Sequence, residues 1–256
     1  MLLAFDIGNT TIAIGLFRGP KLAKSWKIKT DRDKTGDEYG AVLFNLFQAA
    51  GLQAKRIEAA ILSSVVPPLT PVLQDVCRTH FHVDPLVVGP GLRTGMPILY
   101  ENPLEVGADR IVAAVAAYEK HGGPAVVVDF GTATTFDAIS ARGEYLGGAI
   151  APGIQIAAEA LYLKTARLPR IEIRKPKRAI GRTTVSSMQS GLYFGYIGLV
   201  TNTIHEVRKE LGKGAKVIAT GGFGGEITPE IPAIDHYEPD LVLEGLRIVY
   251  ERNRDA

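Results

Sequence analysis

The sequence predicts an α/β fold made of two similar halves in tandem, residues 1–101 and 102–256. Two observations predict it. First, three short strands followed by alternating helices and strands occur twice along the chain, which indicates an internal repeat. Second, an acidic, glycine-containing turn occurs at the same point of each copy, FDIGNT at 5–10 and VDFGTATT at 128–135. With 256 residues, 46% of them hydrophobic, the chain can bury a sizeable core.

Short apolar or alternating runs, separated by glycine turns, predict three strands at the start of the first half. The run after them has apolar residues at helical spacing, and Thr35 precedes its acidic first turn as a helix N-cap would. Pro67 and Pro68 end the fourth strand. The predicted elements of this half are strands 2–5, 11–17 and 22–28, helix 35–52, strand 58–66, helix 68–81 and strand 85–89.

The second half repeats this order after a connecting helix. Its long helix carries Gly191, Gly195 and Gly198 on neighbouring turns, a spacing that favours close helix packing. The predicted elements are helix 102–123, strands 124–131, 134–140 and 145–152, helices 154–165 and 184–212, strand 215–222 and helix 240–250.

Composition indicates a cytoplasmic protein without a membrane anchor. The net charge is only +2, which does not point to a polyanion as the main partner. Cys77 is the single cysteine, so no disulfide can form within the chain. No stretch approaches the ~18 consecutive apolar residues of a membrane span. The first ten residues, MLLAFDIGNT, lack the basic start and long apolar run of a signal peptide.

The repeated turn has the features of a phosphate-binding site. In each copy an Asp ends an apolar strand, at the sheet edge where open α/β folds bind ligands. Its carboxylate can bind Mg²⁺ directly or through water, and the amides and hydroxyls that follow can donate hydrogen bonds to phosphate oxygens. Two such turns facing each other would suit phosphoryl transfer. For a single copy, an ordinary Asp-x-Gly turn is the alternative, and no P-loop sequence is present.

Six motifs, in order along the chain, resemble the type III pantothenate kinase family. They are DIGNT (6–10), SSVVPP (63–68), NPLEVGADR (102–110), DFGTATT (129–135), GGAIAPG (147–153) and TGG (220–222). The resemblance implies two tandem ribonuclease-H-like halves of the actin-like ATPase type, each a mixed sheet with flanking helices. It implies that ATP phosphorylates pantothenate at its 4′-hydroxyl, the first step of coenzyme A biosynthesis. It also implies a homodimer with the substrate pocket near its interface, and a need for Mg²⁺ and a monovalent cation, K⁺ or NH₄⁺.

The resemblance further implies roles for individual residues. Asp109 would be the general base, since a carboxylate within hydrogen-bond reach of an alcohol can accept its proton. The start of a helix beside it would stabilise its ionised form. The implied ATP- and phosphate-binding residues are Asp6, Gly8, Asn9, Thr10, Gly131 and Thr132, with Asp6 also organising Mg²⁺. The implied substrate-binding residues are Tyr100, Gly107, Ala108, Asp109, Arg110 and Thr184, the last reaching across the dimer interface. Asp129 would hold the monovalent cation.

Several of these residues also have a purely structural explanation. Asp109 and Arg110 fit a solvated first turn of a helix, and Tyr100 fits a half-buried aromatic beside a loop. Thr184 fits the N-cap of the long helix, a role compatible with substrate contact.

The sequence departs from the family pattern just after the first turn. Some members carry a lysine there, where this chain has Ala13 and Ile14. Neutralisation of phosphate charge therefore falls to Mg²⁺, backbone amides and Arg110.

Residues 164–182 form a basic segment with eight Lys and Arg residues against one acid, Glu172. We rank a solvated loop first, electrostatic attraction of ATP second and nucleic-acid binding third, because few aromatics are present for base stacking. Two other functions stay open: another small-molecule kinase of the same superfamily, since fold does not fix substrate, and a regulatory accessory protein without kinase activity.

Overall fold

The computed structural model describes residues 1–212 and 214–254. The strands are β1 Leu2–Ile7, β2 Thr11–Arg18, β3 Lys21–Lys29, β4 Ala59–Ser64, β5 Leu86–Val87, β6 Ala125–Phe130, β7 Ala133–Ile139, β8 Tyr145–Pro152, β9 Lys216–Thr220 and β10 His236–Tyr237. The helices are α1 Gly36–Ala49, α2 Leu69–Phe81, α3 Ala108–His121, α4 Ile154–Lys164, α5 Thr184–Leu211, α6 Gly224–Ile227 and α7 Leu241–Asn253. Single 3₁₀ turns lie at Ala54–Arg56, Pro103–Glu105 and Thr228–Glu230.

The first compact unit, unit 1, contains residues 1–119 and the segment from Leu241 onward. Its five-stranded sheet has the order β3-β2-β1-β4-β5, with β1 antiparallel to β2 and parallel to β4. Alternate strand residues such as Phe5 and Ile12 pack with α1 and α2 in one buried core. The remaining strand residues point to the opposite face of the sheet, where Gly15 leaves room for Leu243 of α7. The sheet is therefore covered by helices, as its apolar strands require.

The second compact unit, unit 2, contains residues 120–240. Its sheet has the order β10-β9-β6-β7-β8. Taken from β8, this is the same order as in unit 1, and β6 is again antiparallel to the next strand and parallel to the crossover strand β9. Tyr193, Tyr196, Val200 and Ile204 of α5 pack on one face. The predicted duplication of a mixed α/β sheet is confirmed.

Local sequence signals locate most helix ends correctly. Thr35 caps α1 as predicted, in a capping box with Glu38, although the helix ends at Ala49 rather than at residue 52. The predicted cap of α5 is wrong by one residue. Thr183 is the N-cap, because its hydroxyl accepts a hydrogen bond from the Ser186 amide at 3.1 Å. The 3₁₀ turns, α6 and β10 were not predicted, since such short elements show no measurable periodicity.

The compact units have different limits from the sequence halves 1–101 and 102–256. Helix α3 stays with unit 1 through residue 119, and α7 returns to the same unit. The two helices pack so closely that a Cβ on Gly245 would overlap the carbonyl of Val112. An apolar stripe indicates that a helix is buried but does not tell against which sheet. Within the described residues, no helix is long and apolar enough to cross a membrane.

Candidate active site

Asp6 lies at the carboxyl end of β1, beside Ser63 of the parallel strand β4. The strand register pairs the two residues, and the Ser63 hydroxyl donates a hydrogen bond to Asp6 Oδ1 at 2.6 Å. Burial raises the pKa of Asp6 to about 7, and the negative charge of Asp109 adds to the rise, whereas the Ser63 hydrogen bond opposes it. Ser63 belongs to the SSVVPP motif, but only the parallel register reveals that it orients Asp6.

Asp109 lies in the first turn of α3, just after a 3₁₀ turn capped by Asn102. Its Oδ1 accepts a hydrogen bond from the Arg110 amide at 2.8 Å. A Cβ on Gly107 would lie 2.5 Å from this oxygen, so only glycine leaves the carboxylate its present position. Because the charge of Asp109 acts on Asp6, the two carboxylates lie near each other in unit 1.

The pKa of Asp109 is subject to two opposing effects. The sequence predicted that the helix start would stabilise the ionised form, and the Arg110 amide and guanidinium do lower the pKa. Burial has the larger effect and raises the pKa above its usual value. Asp109 is therefore a stronger base than an exposed aspartate.

The first turn, residues 8–10, is held by Thr30, the residue that follows β3. The Gly8 amide donates to the Thr11 carbonyl at 3.1 Å, which closes the turn between β1 and β2. The hydroxyl of Thr30 donates to the Gly8 carbonyl at 2.7 Å, and its amide donates to the Thr10 carbonyl at 3.0 Å. Asn9 and Thr10 stay exposed, where a ligand can reach them.

Asp129 occupies in unit 2 the position that Asp6 occupies in unit 1. It lies near the end of β6, in register with Thr220 of the parallel strand β9, as Asp6 is with Ser63. Gly221 follows Thr220 with φ +95°, and a Cβ there would overlap Asp129 Oδ1. The backbone of the TGG motif therefore lies in close contact with this carboxylate.

The second turn continues from Asp129 into residues 131–132. The Gly131 amide donates to the Ala133 carbonyl at 3.1 Å, which closes the turn between β6 and β7. The Gly153 amide, from the GGAIAPG motif, donates to the Thr132 carbonyl at 3.2 Å. Gly131 and Thr132 are exposed. Three of the sequence motifs, DFGTATT, GGAIAPG and TGG, thus meet around this turn.

A buried tyrosine of α5 is hydrogen-bonded to the strand that follows the second turn. The hydroxyls of Tyr196 and Thr134 are hydrogen-bonded at 2.6 Å, and both residues are buried. The Tyr196 ring packs edge-on against Phe130, the last residue of β6, and against Phe223, which follows the TGG motif. Burial and the nearby Asp129 charge raise the pKa of Tyr196 to about 12. No sequence motif marked Tyr196, since it resembles any other buried residue of an amphipathic helix.

The remaining predicted residues divide between the units. Tyr100 is half-buried in the loop before the 3₁₀ turn of unit 1, and Ala108 and Arg110 lie in the first turn of α3. Thr184 is exposed at the first position of α5 in unit 2.

Most of the basic segment has no helix or strand, since α4 ends at Lys164 and α5 begins at Thr184. Its cations are largely exposed, and some have local partners. Lys175 forms an ion pair with Glu230 at 2.6 Å, and the Arg170 guanidinium lies 4.7 Å from the centre of the Tyr162 ring.

The carboxylates near the two turns suit a hard cation that is also bound by the phosphates of a nucleotide. In the described part of the chain, no three His, Cys, Asp or Glu side chains form a metal cage. Mg²⁺ commonly takes only one or two protein carboxylates and completes its shell with phosphates and water. The mutually repelling carboxylates of Asp6 and Asp109 match this requirement, because a divalent cation would offset their repulsion.

Solved structures with similar folds extend over nearly the whole chain. One is described as a Baf family transcriptional activator from Campylobacter jejuni, with a TM-score of 0.61, 20% identity and coverage of 99% of this chain and 100% of that one. Another is described as an N-acetylglucosamine kinase from Porphyromonas gingivalis, with a TM-score of 0.54, 13% identity and the same coverage. At these identities the likeness shows the fold alone.

Sequence relatives are much closer. The family model for type III pantothenate kinase matches residues 2–206. Proteins named type III pantothenate kinase are 56% identical over 253 residues in Moorella thermoacetica, covering 99% of this chain and 100% of the relative, and 52% identical over 255 residues in Geobacter sulfurreducens, covering 100% of each. The chain belongs to the type III pantothenate kinase family.

Proposed function

We propose that the chain transfers a phosphoryl group from ATP to the 4′-hydroxyl of pantothenate, the first step of coenzyme A biosynthesis. One observation carries the site: the interacting carboxylates of Asp6 and Asp109, at a strand end and a helix start in unit 1. Phosphoryl transfer needs a group that takes the alcohol proton and groups that hold the metal and phosphates. The two carboxylates supply one candidate for each task.

Asp109 is the proposed general base. Its raised pKa favours this role, because a general base is most effective when its pKa lies near the working pH. The hydrogen bond from the Arg110 amide fixes the carboxylate, and Gly107 leaves the space that it occupies. Arg110 and Tyr100, on either side of this position in sequence, would bind pantothenate, and a guanidinium pairs well with its carboxylate.

Asp6 is the proposed Mg²⁺ residue, directly or through water. Ser63 holds the Asp6 carboxylate in one orientation, and Gly8, Asn9 and Thr10 would hydrogen-bond the phosphates. When bound, Mg²⁺ supplies charge neutralisation to the phosphates. A neighbouring dication would also favour the ionised form of Asp6, against the effect of burial.

The second turn is proposed to bind phosphate and a monovalent cation. Gly131 and Thr132 are exposed and follow Asp129 after one intervening residue, as Gly8 and Asn9 follow Asp6. Asp129 would hold K⁺ or NH₄⁺, with the backbone at Gly221 closing one side of its carboxylate. Oxygen ligands of this kind suit hard cations.

A homodimer is proposed through helices α4 and α5. The exposed face of α5 carries Phe194, 39% exposed, beside Gly191, Gly195 and Gly198, where an added Cβ would meet no atom within 4 Å. Leu163 at the end of α4 is 63% exposed. An uncharged surface of this kind is typical of an interface, and Thr184 at the start of α5 would reach the pantothenate of the partner. The single buried cysteine agrees with a proposed location in the cytoplasm.

The test is a coupled assay of the purified protein with MgATP, pantothenate and K⁺ or NH₄⁺. ADP release that depends on pantothenate and on the monovalent cation is the expected result. Release with a different alcohol but none with pantothenate would instead favour another kinase of the superfamily. If no alcohol supports ADP release, the result favours a regulatory protein without kinase activity. Salt-sensitive binding to DNA would then support that alternative. Phosphorylation at the 4′-hydroxyl is checked by NMR of the product.

A further inference from the structure

Asp6 lies just before the first turn, but neither β1 nor β2 places a cation next to it. Ala13 is the residue opposite Asp6 in the register of β1 and β2, and its side chain carries no charge. An ATP polyphosphate bound at Gly8–Thr10 would therefore need a positive group from elsewhere in the chain. The loop between β3 and α1 offers one.

That loop is fixed to the first turn at its start. Thr30 is buried, and its hydroxyl and amide both donate hydrogen bonds to backbone carbonyls of the turn. The next residue, Asp31, is fixed by Tyr39, a fully buried side chain of α1. The Tyr39 hydroxyl accepts from the Asp31 amide at 3.0 Å and donates to the Asp31 carbonyl at 2.8 Å. The backbone on the N-terminal side of residue 32 is thus held by the core.

Arg32 extends from this fixed position to the side chain of the turn. Its Nη2 donates a hydrogen bond to Asn9 Oδ1 at 2.9 Å, and both side chains are exposed. A guanidinium has five N–H donors, so the contact with Asn9 leaves others for a ligand. Within residues 1–212 and 214–254, Arg32 forms no ion pair with a carboxylate, although it follows Asp31 and precedes Asp33. Its charge is not neutralised by a partner.

We propose that Arg32 binds the polyphosphate of the ATP held at the first turn and supplies the positive charge that β1 and β2 do not place beside this turn. The proposal rests on the proposed function, since it assumes that this turn binds ATP. A guanidinium matches phosphate oxygens in charge and in its paired donors. Asn9 holds the guanidinium at the turn before ATP arrives, which reduces the side-chain freedom lost on binding.

The test measures the binding of ATP, ADP and AMP, each with Mg²⁺, by calorimetry in the absence of pantothenate. Arg32→Gln is expected to weaken ATP binding at least ~10-fold and AMP binding much less. Arg18→Gln is the matched control: it removes the same charge from an exposed arginine at the other end of β2, about 24 Å along the strand. An effect of Arg32→Gln no larger than that of Arg18→Gln, or equal for ATP and AMP, would overturn the proposal.

A second variant separates phosphate binding from mere support of Asn9. Asn9→Ala removes the partner of the hydrogen bond and keeps the Arg32 charge. If Arg32 binds phosphate, adding Arg32→Gln to Asn9→Ala weakens ATP binding further, and Arg32→Lys retains part of the affinity. If Arg32 only supports Asn9, the double variant binds ATP as Asn9→Ala does, and the proposal fails.

The two levels of the hypothesis fail separately. If pantothenate is not phosphorylated but ATP binding depends on Arg32, the substrate assignment is wrong and the Arg32 proposal stands. If pantothenate is phosphorylated and the Arg32→Gln protein binds all three nucleotides as the Arg18→Gln protein does, only the Arg32 proposal is wrong.

Discussion

Ser63 donates a hydrogen bond to Asp6 at 2.6 Å because the two residues are neighbours in a parallel strand register. The same register places Thr220 beside Asp129 in unit 2. In both units a hydroxyl residue of the neighbouring parallel strand lies opposite the acidic residue, so the duplication extends to this strand register. The consequence for Asp6 is measurable, since its pKa depends on burial, on Asp109 and on this bond.

Asp6→Asn should stabilise the ligand-free protein at pH 8 but not at pH 4. The pKa of Asp6 is about 7 in the folded protein and near 3.9 when unfolded, so the folded state holds the proton more tightly. The contribution of this carboxyl to stability is complete below about pH 4 and is lost as pH rises through 7. The asparagine side chain of the variant cannot ionise, so the variant does not suffer this loss.

The full shift would correspond to about 4 kcal/mol, and partial exposure of Asp6 reduces the expected difference to ~1–3 kcal/mol. Urea unfolding of both proteins at pH 4 and pH 8, without Mg²⁺ or nucleotide, measures it. Asp75→Asn, at an exposed position of α2, is the control for the loss of one carboxylate, and the change between pH 4 and pH 8 should be larger for Asp6→Asn. An equal stability difference at both pH values would contradict the raised pKa.

Asp109→Asn should reduce kcat at least ~10²-fold while leaving the fold intact. The amide oxygen of asparagine can still accept the Arg110 hydrogen bond, so the side chain keeps its place and loses only its basicity. Steady-state kinetics with pantothenate and ATP give the loss, and the unfolding midpoint checks the fold. Turnover close to that of the unmodified protein would mean that Asp109 is not the base.

Gly107→Ala should lower mainly the activity, and Gly245→Ala should lower mainly the stability. A Cβ at residue 107 meets the end of the Asp109 side chain, which can move, so activity should fall roughly 10–100-fold with little loss of stability. A Cβ at residue 245 overlaps the Val112 backbone, which cannot yield locally, so the free energy of unfolding should fall by about 1–3 kcal/mol. Thermal unfolding and kinetics of the two variants test this contrast. A Gly107→Ala protein with normal kcat would show that the position of Asp109 is not critical.

The sequence predicted the parts of the site that lie within one motif. DIGNT and DFGTATT both form turns after buried strands, and GADR lies at the start of a helix, as expected. The sequence did not predict which distant segments would be in contact. Arg32 and Asn9 are 23 residues apart, and Ser63 and Asp6 are 57 apart, so only the folded chain brings them together. Burial is also a property of the fold, which explains why the pKa of Asp109 moves opposite to the direction that its helix position suggested.

Tyr196→Phe should weaken the second turn without disturbing the helix around it. The substitution keeps the ring that packs on Phe130 and removes the hydroxyl that pairs with Thr134. The Thr134 hydroxyl is fully buried, and losing its partner costs about 1–3 kcal/mol unless the turn shifts to let water in. Either outcome alters the support of the residues that follow Asp129. The half-saturating concentrations of K⁺ and ATP should therefore rise, with a smaller change in the KM for pantothenate.

Tyr193→Phe is the matched control for this prediction. Tyr193 lies on the same helix three residues earlier, and it is 4% exposed compared with 6% for Tyr196. Its ring packs against Phe194 rather than against Phe130 and Phe223. A loss of stability alone would appear in the unfolding midpoint and leave the K⁺ dependence unchanged. If both variants change the half-saturating K⁺ concentration equally, Tyr196 does not position the second turn, because a general loosening of α5 would explain both results.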